Sequence, residues 1–271
     1  MPTVVGKCRL CLEEAELQLS HLLPRALYRM IGSGTSRQHP DTVQLTAASI
    51  KRSSEQARRH LLCRRCEQRL SANGESWVLN NCYRGRDRFR LRAELRNRAL
   101  LSGSEVEAYS ASEAEVTFLV FFCLSVIWRA SLCDWVCRAE IYKQIDLGPF
   151  QEQFRKFLNS ECGVPGRVRV MVLLSASNRP RLEMSLPIAY RRDDGRTYRF
   201  HIPGITFVAT VGGMPYHALE DQTSILNLRR PILLAEFGDR TAQDDQMRLM
   251  GKVPPRGFTT PLLEGTENPF N

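Results

Sequence analysis

Two Cys-x-x-Cys pairs constrain this chain more than any other feature. Cys8-Arg9-Leu10-Cys11 and Cys63-Arg64-Arg65-Cys66 are separated by 51 residues. A two-residue spacer lets both thiolates of one tight turn point inward, and two such turns complete the tetrahedron of a structural zinc site. Any fold of this chain therefore has to bring residues 8 and 66 together. Lys7, Arg9, Arg64 and Arg65 lie beside the thiolates and offset part of their negative charge. The other five cysteines (Cys82, Cys123, Cys133, Cys137 and Cys162) are scattered singly. An odd count, with no apolar signal-peptide core in the first residues, argues against a disulfide framework; the expected location is cytoplasmic.

The net charge of +9 is confined to one stretch. Residues 51–100 hold fourteen Lys or Arg against five Asp or Glu, and the rest of the chain is neutral in sum. An excess this local, overlapping the second cysteine pair, is the electrostatic footprint expected for phosphates; the plainer reading is a solvated face. Within it, arginines recur at 84, 86, 88, 90 and 92 around Phe89 and Leu91. A strand would gather them on one face, whereas a helix would spread them round the cylinder, and both readings stand. Arg64, Arg65, Arg84, Arg86, Arg88, Arg90 and Arg92 are the candidate nucleic-acid contacts.

The expected fold class is α+β. A small zinc module occupies residues 1–100, a second α+β domain residues 101–250, and an extended tail residues 251–271. The module opens with a knuckle, a strand around Ser20-His21 and a stop at Pro24. A Gly/Ser/Thr-rich loop follows, with Thr42–Thr46 able to pair briefly as a strand. A helix starts near Cys66 and carries Leu70, Trp77, Val78 and Leu79, with Gly74 weakening its middle. In the second domain, core helices fall within 115–160 and strands within 166–212. The thirteen-residue apolar run Val116–Trp128 is too short for a bilayer span, which takes about 20 residues. It reads as a buried helix continuing through Leu132, Trp135 and Val136. Phe150, Phe154 and Phe157 mark a second, amphipathic helix. Val168, Val170 and Val172 alternate as one strand face, and residues 182–188 suggest another strand. Asp193-Asp194-Gly195 signals a turn. Residues 202–211 read as a strand bent at Pro203-Gly204.

The order Cys-x-x-Cys, then Ser20-His21-x-x-Pro24, then Leu61-Leu62-Cys63-x-x-Cys66-Glu67 resembles the HNH endonuclease superfamily in its zinc-stapled, treble-clef form. The resemblance covers roughly residues 8–80. It implies a strand–strand–helix (ββα-metal-like) site and metal-dependent phosphodiester hydrolysis, with DNA as the first expected substrate and restriction or anti-phage defence as the setting. His21 would be the general base, and Mg²⁺ or Mn²⁺ would neutralise the phosphate oxygens beside the structural Zn²⁺. The match is incomplete. Ser20 stands where the family carries an acidic or histidine ligand, no Asn precedes the second pair, and Glu67 replaces a His. His60, Glu67 and Glu75 are the residues that could complete a rewired site. Otherwise Glu67 pairs with Arg64 or Arg69, and Glu75 is a surface carboxylate.

Three readings follow: an HNH-like nuclease; a non-catalytic zinc-stapled nucleic-acid-binding protein; and a protein-interaction module whose arginines face an acidic partner. The second domain is expected to serve specificity, self-association or binding of a partner protein. Nothing in residues 115–271 carries a P-loop, a dinucleotide fingerprint or a nucleophile elbow.

Overall fold

The computed structural model describes residues 3–33, 42–45, 50–53, 56–85, 88–98, 100–101, 107–137, 140–175, 177, 179–191, 195–213 and 232–235. Both cysteine pairs hang on one small antiparallel sheet. β1 (Val5–Lys7) pairs with β2 (Glu14–His21), and the first knuckle is the turn between them. α1 (Arg25–Ser33) follows Pro24, and β3 (Thr42–Leu45) and β4 (Ile50–Ser53) form a separate hairpin. β5 (Arg58–Cys63) then returns along the other side of β2, with Leu17 opposite Cys63 and His21 opposite Arg58. The chain turns at Cys63 into α2 (Arg64–Leu70), a π turn at Ser71–Glu75 and α3 (Ser76–Asn81). β2, β5 and α2 thus form a strand–strand–helix unit around the second cysteine pair, with the β3–β4 hairpin between the two strands in the chain.

Gly74 serves close approach. A Cβ built there would stand 2.9 Å from the Phe122 amide nitrogen and 3.2 Å from the Phe118 carbonyl oxygen. The partner is α5 (Glu113–Ala130), which follows α4 (Arg90–Arg96), β6 (Leu100–Leu101) and β7 (Glu107–Tyr109). The neighbouring atoms are backbone and cannot swing aside. Gly74→Ala is therefore expected to cost about 1–3 kcal/mol as overpacking, although alanine is the better helix former; a urea titration would show the loss. Trp77 stacks on Phe118 with ring centroids 5.5 Å apart at the same crossing.

α5 is buried on nearly every side, which is why its sequence reads as a continuous apolar run rather than a stripe. Its start is fixed by a capping box: the Ser112 hydroxyl accepts from the Glu115 amide at 3.3 Å, and Glu115 accepts from the Ser112 amide at 2.7 Å. Arg98 clamps the same carboxylate at 2.7 and 2.8 Å. The helix ends at Ala130, earlier than the apolar pattern suggested. Trp135 and Val136 belong instead to β8 (Trp135–Cys137), hairpinned with β9 (Glu140–Tyr142). α6 (Phe150–Leu158) carries the expected phenylalanines, with Phe157 against Phe121 at 5.7 Å.

The remaining strands form a seven-stranded sheet, β11-β12-β13-β10-β14-β7-β6. Its members are β10 (Val168–Ser175), β11 (Ile188–Arg191), β12 (Gly195–Ile202), β13 (Ile205–Gly212) and β14 (Ile232–Ala235), beside β6 and β7. All pairings are antiparallel except β10 with β14. Helix and mainly antiparallel sheet in one chain make the protein α+β. Two sequence readings are corrected. Pro203-Gly204 does not bend one strand; it is the turn of a tight hairpin, with Ile202 opposite Ile205 and Gly204 at φ +79°. Between 182 and 188 only Ile188 joins a strand, the first residue of β11.

One contiguous core runs from Cys8 and Leu10 through Leu70, Val78 and α5 to Phe200 and Phe207 of the sheet. Phe122 touches both sheet phenylalanines, at 6.1 and 5.4 Å between ring centroids. Residues on both sides of position 100 contribute to it. The tail assigned to 251–271 lies outside the described residues.

Candidate metal centre and nucleic-acid interface

The two knuckles meet where β2 and β5 end beside each other. The donor sulfurs of Cys8, Cys11, Cys63 and Cys66 all lie within 4.8 Å of one another, and Cys11 and Cys63 are 3.9 Å apart. A metal–sulfur bond of about 2.3 Å gives a tetrahedron with edges of roughly 3.8 Å. The set is therefore positioned to hold a metal ion. The Cys63 amide donates to the Cys8 sulfur at 3.3 Å and ties the second knuckle to the first. Hydrogen bonding from Cys66 pulls the Cys8 thiol down to about 4, while the bond to Cys8 pushes Cys66 up and burial pushes Cys63 up. Four crowded sulfurs cannot all ionise without a cation between them; a divalent ion removes that conflict.

The surrounding contacts hold the knuckles rigid. Arg65 spans from the Cys11 sulfur to Glu13, at 2.7 Å from the carboxylate. The Leu10 carbonyl accepts from buried Arg155 of α6 at 2.8 Å, and Arg155 is itself held by Glu152 and Glu161. Leu12, just past the second thiol, takes the left-handed conformation with φ +64° and is exposed. A side chain there costs about 1 kcal/mol relative to glycine. Leu12→Gly should therefore raise stability by a fraction of that, net of glycine's greater unfolded-state entropy; thermal melts of the metal-loaded protein check it.

A largely buried cluster of polar side chains lies further along the same ladder. Ser20, at the end of β2, donates its hydroxyl to Glu67, the residue after Cys66. Glu75, about 12 Å further along the helix at 1.5 Å per residue, forms an ion pair with Arg129 of α5 at 2.5 Å. Arg129 is 1% exposed; its Nη1 donates to the His21 carbonyl at 2.9 Å and its Nε to the Ser125 carbonyl at 3.4 Å. Burial pushes Glu67 up from the usual carboxylate range, and Arg129 and Ser20 pull it back part of the way. The His21 side chain is half-buried, and its backbone carbonyl is the one Arg129 bonds. Desolvation holds its imidazole below the usual histidine range, the cations Arg25, Arg58 and Arg129 add to that, and a bond with Gln56 opposes it. Both the desolvation and the cations favour the neutral imidazole.

Of the four residues considered for a catalytic ion, Glu67, Glu75 and His21 are drawn to one region through Ser20 and Arg129. His60 is not; it is exposed, with Nδ1 3.0 Å from the Leu17 carbonyl, nearer the cysteine end of the ladder. Among the described residues, the four cysteines are the one group of His, Cys, Asp or Glu whose donors gather closely enough for an ion. The donors expected for Mg²⁺ or Mn²⁺ do not fit one: Glu75 is committed to a guanidinium, and Glu67 to a hydroxyl.

The arginines divide in the same way. Arg64, Arg84, Arg88 and Arg90 are exposed, Arg90 with Glu94 at 2.8 Å. Arg65 is exposed and tied to Glu13. Arg86 lies outside the described residues. Arg92 is 4% exposed and donates to the Ser177 carbonyl at 2.8 Å, so it serves the core rather than a surface. Neither a regular strand nor one helix spans 84–92. The Arg84 amide donates to the Arg88 carbonyl at 2.8 Å, and Tyr83 bridges Phe89 before α4 begins at Arg90. This loop docks on Gly204, where a Cβ would meet the Phe89 ring at 2.8 Å.

Sequence reasoning missed Arg25, Arg58 and Arg129. Arg58 is opposite His21 across the ladder, and Arg25 is the first residue of α1; both are exposed. The one local sign of Arg129 was a charge ending an apolar run. Among the described residues no helix is long and apolar enough to cross a membrane. The chain matches no protein-family model, no curated protein and no solved structure.

Proposed function

We propose that this chain is a zinc-stapled nucleic-acid-binding protein that presents the His21 end of its strand–strand–helix module to phosphates. The observation that carries the reading is the convergence of exposed Arg25 and Arg58 on half-buried His21, on the module that also holds the four cysteines. Exposed Arg59 and Arg64 extend the positive surface along β5 and into α2. Zinc is the ion because four thiolates at this spacing suit it. The strand–strand–helix order, with Ser20 touching Glu67, supports kinship with the zinc-stapled HNH proteins.

Hydrolysis is the second reading. The specific observation in its favour is half-buried His21, whose desolvation holds its imidazole below the usual histidine range and so favours the form that accepts a proton from an attacking water. DNA is the first expected ligand in both readings. The test is fluorescence anisotropy with duplex and single-stranded DNA and RNA across a salt series, run beside plasmid nicking in Mg²⁺, Mn²⁺ and Ni²⁺. Binding that weakens steeply with salt and no nicking is the expected result, because each neutralised phosphate releases condensed counterions. Nicking lost in His21→Ala selects the nuclease. Indifference to every nucleic acid sinks both and leaves the protein-interaction module.

A further inference from the structure

We propose that Arg129 is the fixed cation of the Ser20–Glu67–Glu75 cluster, standing where a divalent ion would sit, so that the intact cluster is closed to Mg²⁺ and Mn²⁺. The inference rests on contacts alone and holds whichever ligand the His21 face takes. Two carboxylates eight residues apart on the helix that leaves the second knuckle turn inward toward the end of β2. An ion between them and the chain near His21 would be an ordinary hard-cation arrangement, with carboxylate and carbonyl oxygens as donors. That place is taken. The guanidinium reaches Glu75 through Nη2, the His21 carbonyl through Nη1 and the Ser125 carbonyl through Nε. The same residue's own carbonyl accepts from Trp135 Nε1 at 3.2 Å, so the backbone beneath it is pinned as well.

The charge balance favours the same assignment. One guanidinium faces two carboxylates, Glu75 directly and Glu67 next to it, and Glu67 accepts from the Ser20 hydroxyl. Magnesium keeps several waters and requires near-ideal octahedral geometry at about 2.0–2.1 Å. Guanidinium is weakly hydrated and planar, which suits a buried site better. The carboxylates that would make an HNH-like site metal-dependent are instead satisfied internally. The His21 face then meets phosphates with arginine charge alone.

Mn²⁺ titration of the desalted, zinc-loaded full chain tests this, with free Mn²⁺ read by electron paramagnetic resonance and thermal unfolding followed in parallel. The wild type should show no saturable site that depends on Glu67 or Glu75, and no melting shift with Mn²⁺. Arg129→Ser, with the cation removed, should gain one saturable Mn²⁺ site and melt at a higher temperature in Mn²⁺; Arg129→Ser/Glu75→Gln should lose both responses. Should Arg129→Ser fail to fold, Arg129→Gln removes the charge while keeping a longer polar side chain with one amide donor group. A wild-type Mn²⁺ site abolished by Glu67→Gln or Glu75→Gln overturns the proposal. So does a folded charge-removed variant that ignores Mn²⁺.

Discussion

Cys63→Ala should leave the N-terminal module unfolded at room temperature. A structural zinc site contributes on the order of 10 kcal/mol of binding free energy that is also folding free energy. That is comparable with the whole stability of an ordinary domain, about 5–15 kcal/mol. Cys63 also sits at the junction of β5 and α2, so losing it frees the strand end and the helix start together. The loss should spread, since Arg155 reaches from α6 to the Leu10 carbonyl in the first knuckle. Zinc content measured with a chromophoric chelator should fall from one equivalent to none, and near-ultraviolet dichroism should lose its tertiary signal. Cys162→Ser, at an exposed cysteine, is the control and should stay within about 0.5 kcal/mol of the parent. A Cys63→Ala protein that melts like the parent would remove the staple from this account.

Arg129→Met carries the second large effect, a loss of about 3–5 kcal/mol, because it strands Glu75 as an uncompensated buried charge. Methionine fills much of the same volume, so the cost is electrostatic rather than a cavity. Adding Glu75→Gln in the same chain should recover part of the loss, since the orphaned carboxylate is then neutral. A double-mutant cycle by urea unfolding gives the coupling directly. Additive single effects would show that the pair at 2.5 Å contributes nothing beyond its parts.

What could be read from the sequence followed from local rules. The cysteine spacing gave the metal cluster, because two tight turns of fixed geometry leave few alternatives. The apolar run gave α5, and the valines at 168, 170 and 172 gave β10, because burial imposes a period. The α5 start is equally local, in the capping box of Ser112-Glu113-Ala114-Glu115. What escaped was set by contacts distant in the chain. Arg129 and Glu75 are 54 residues apart, and nothing near either says that a cation will settle between helix and knuckle. Gly74 looks like a helix breaker until α5 packs so close that an added Cβ would stand 2.9 Å from the Phe122 amide nitrogen. The arginines at 84–92 alternate cleanly, yet Tyr83, Phe89 and Arg92 are drawn into the core and break the register.

The central claim is that the zinc module offers the His21 end of its ladder to a phosphate backbone through Arg25 and Arg58. Its most direct test is the salt dependence of nucleic-acid affinity, by anisotropy, for the parent and for Arg25→Gln/Arg58→Gln. Both positions are exposed, so the double variant should keep its fold and its zinc. The account predicts weaker binding and a plot of log affinity against log salt that is shallower by about two counterions on duplex DNA. An unchanged slope and affinity in a folded, zinc-loaded double variant would contradict it.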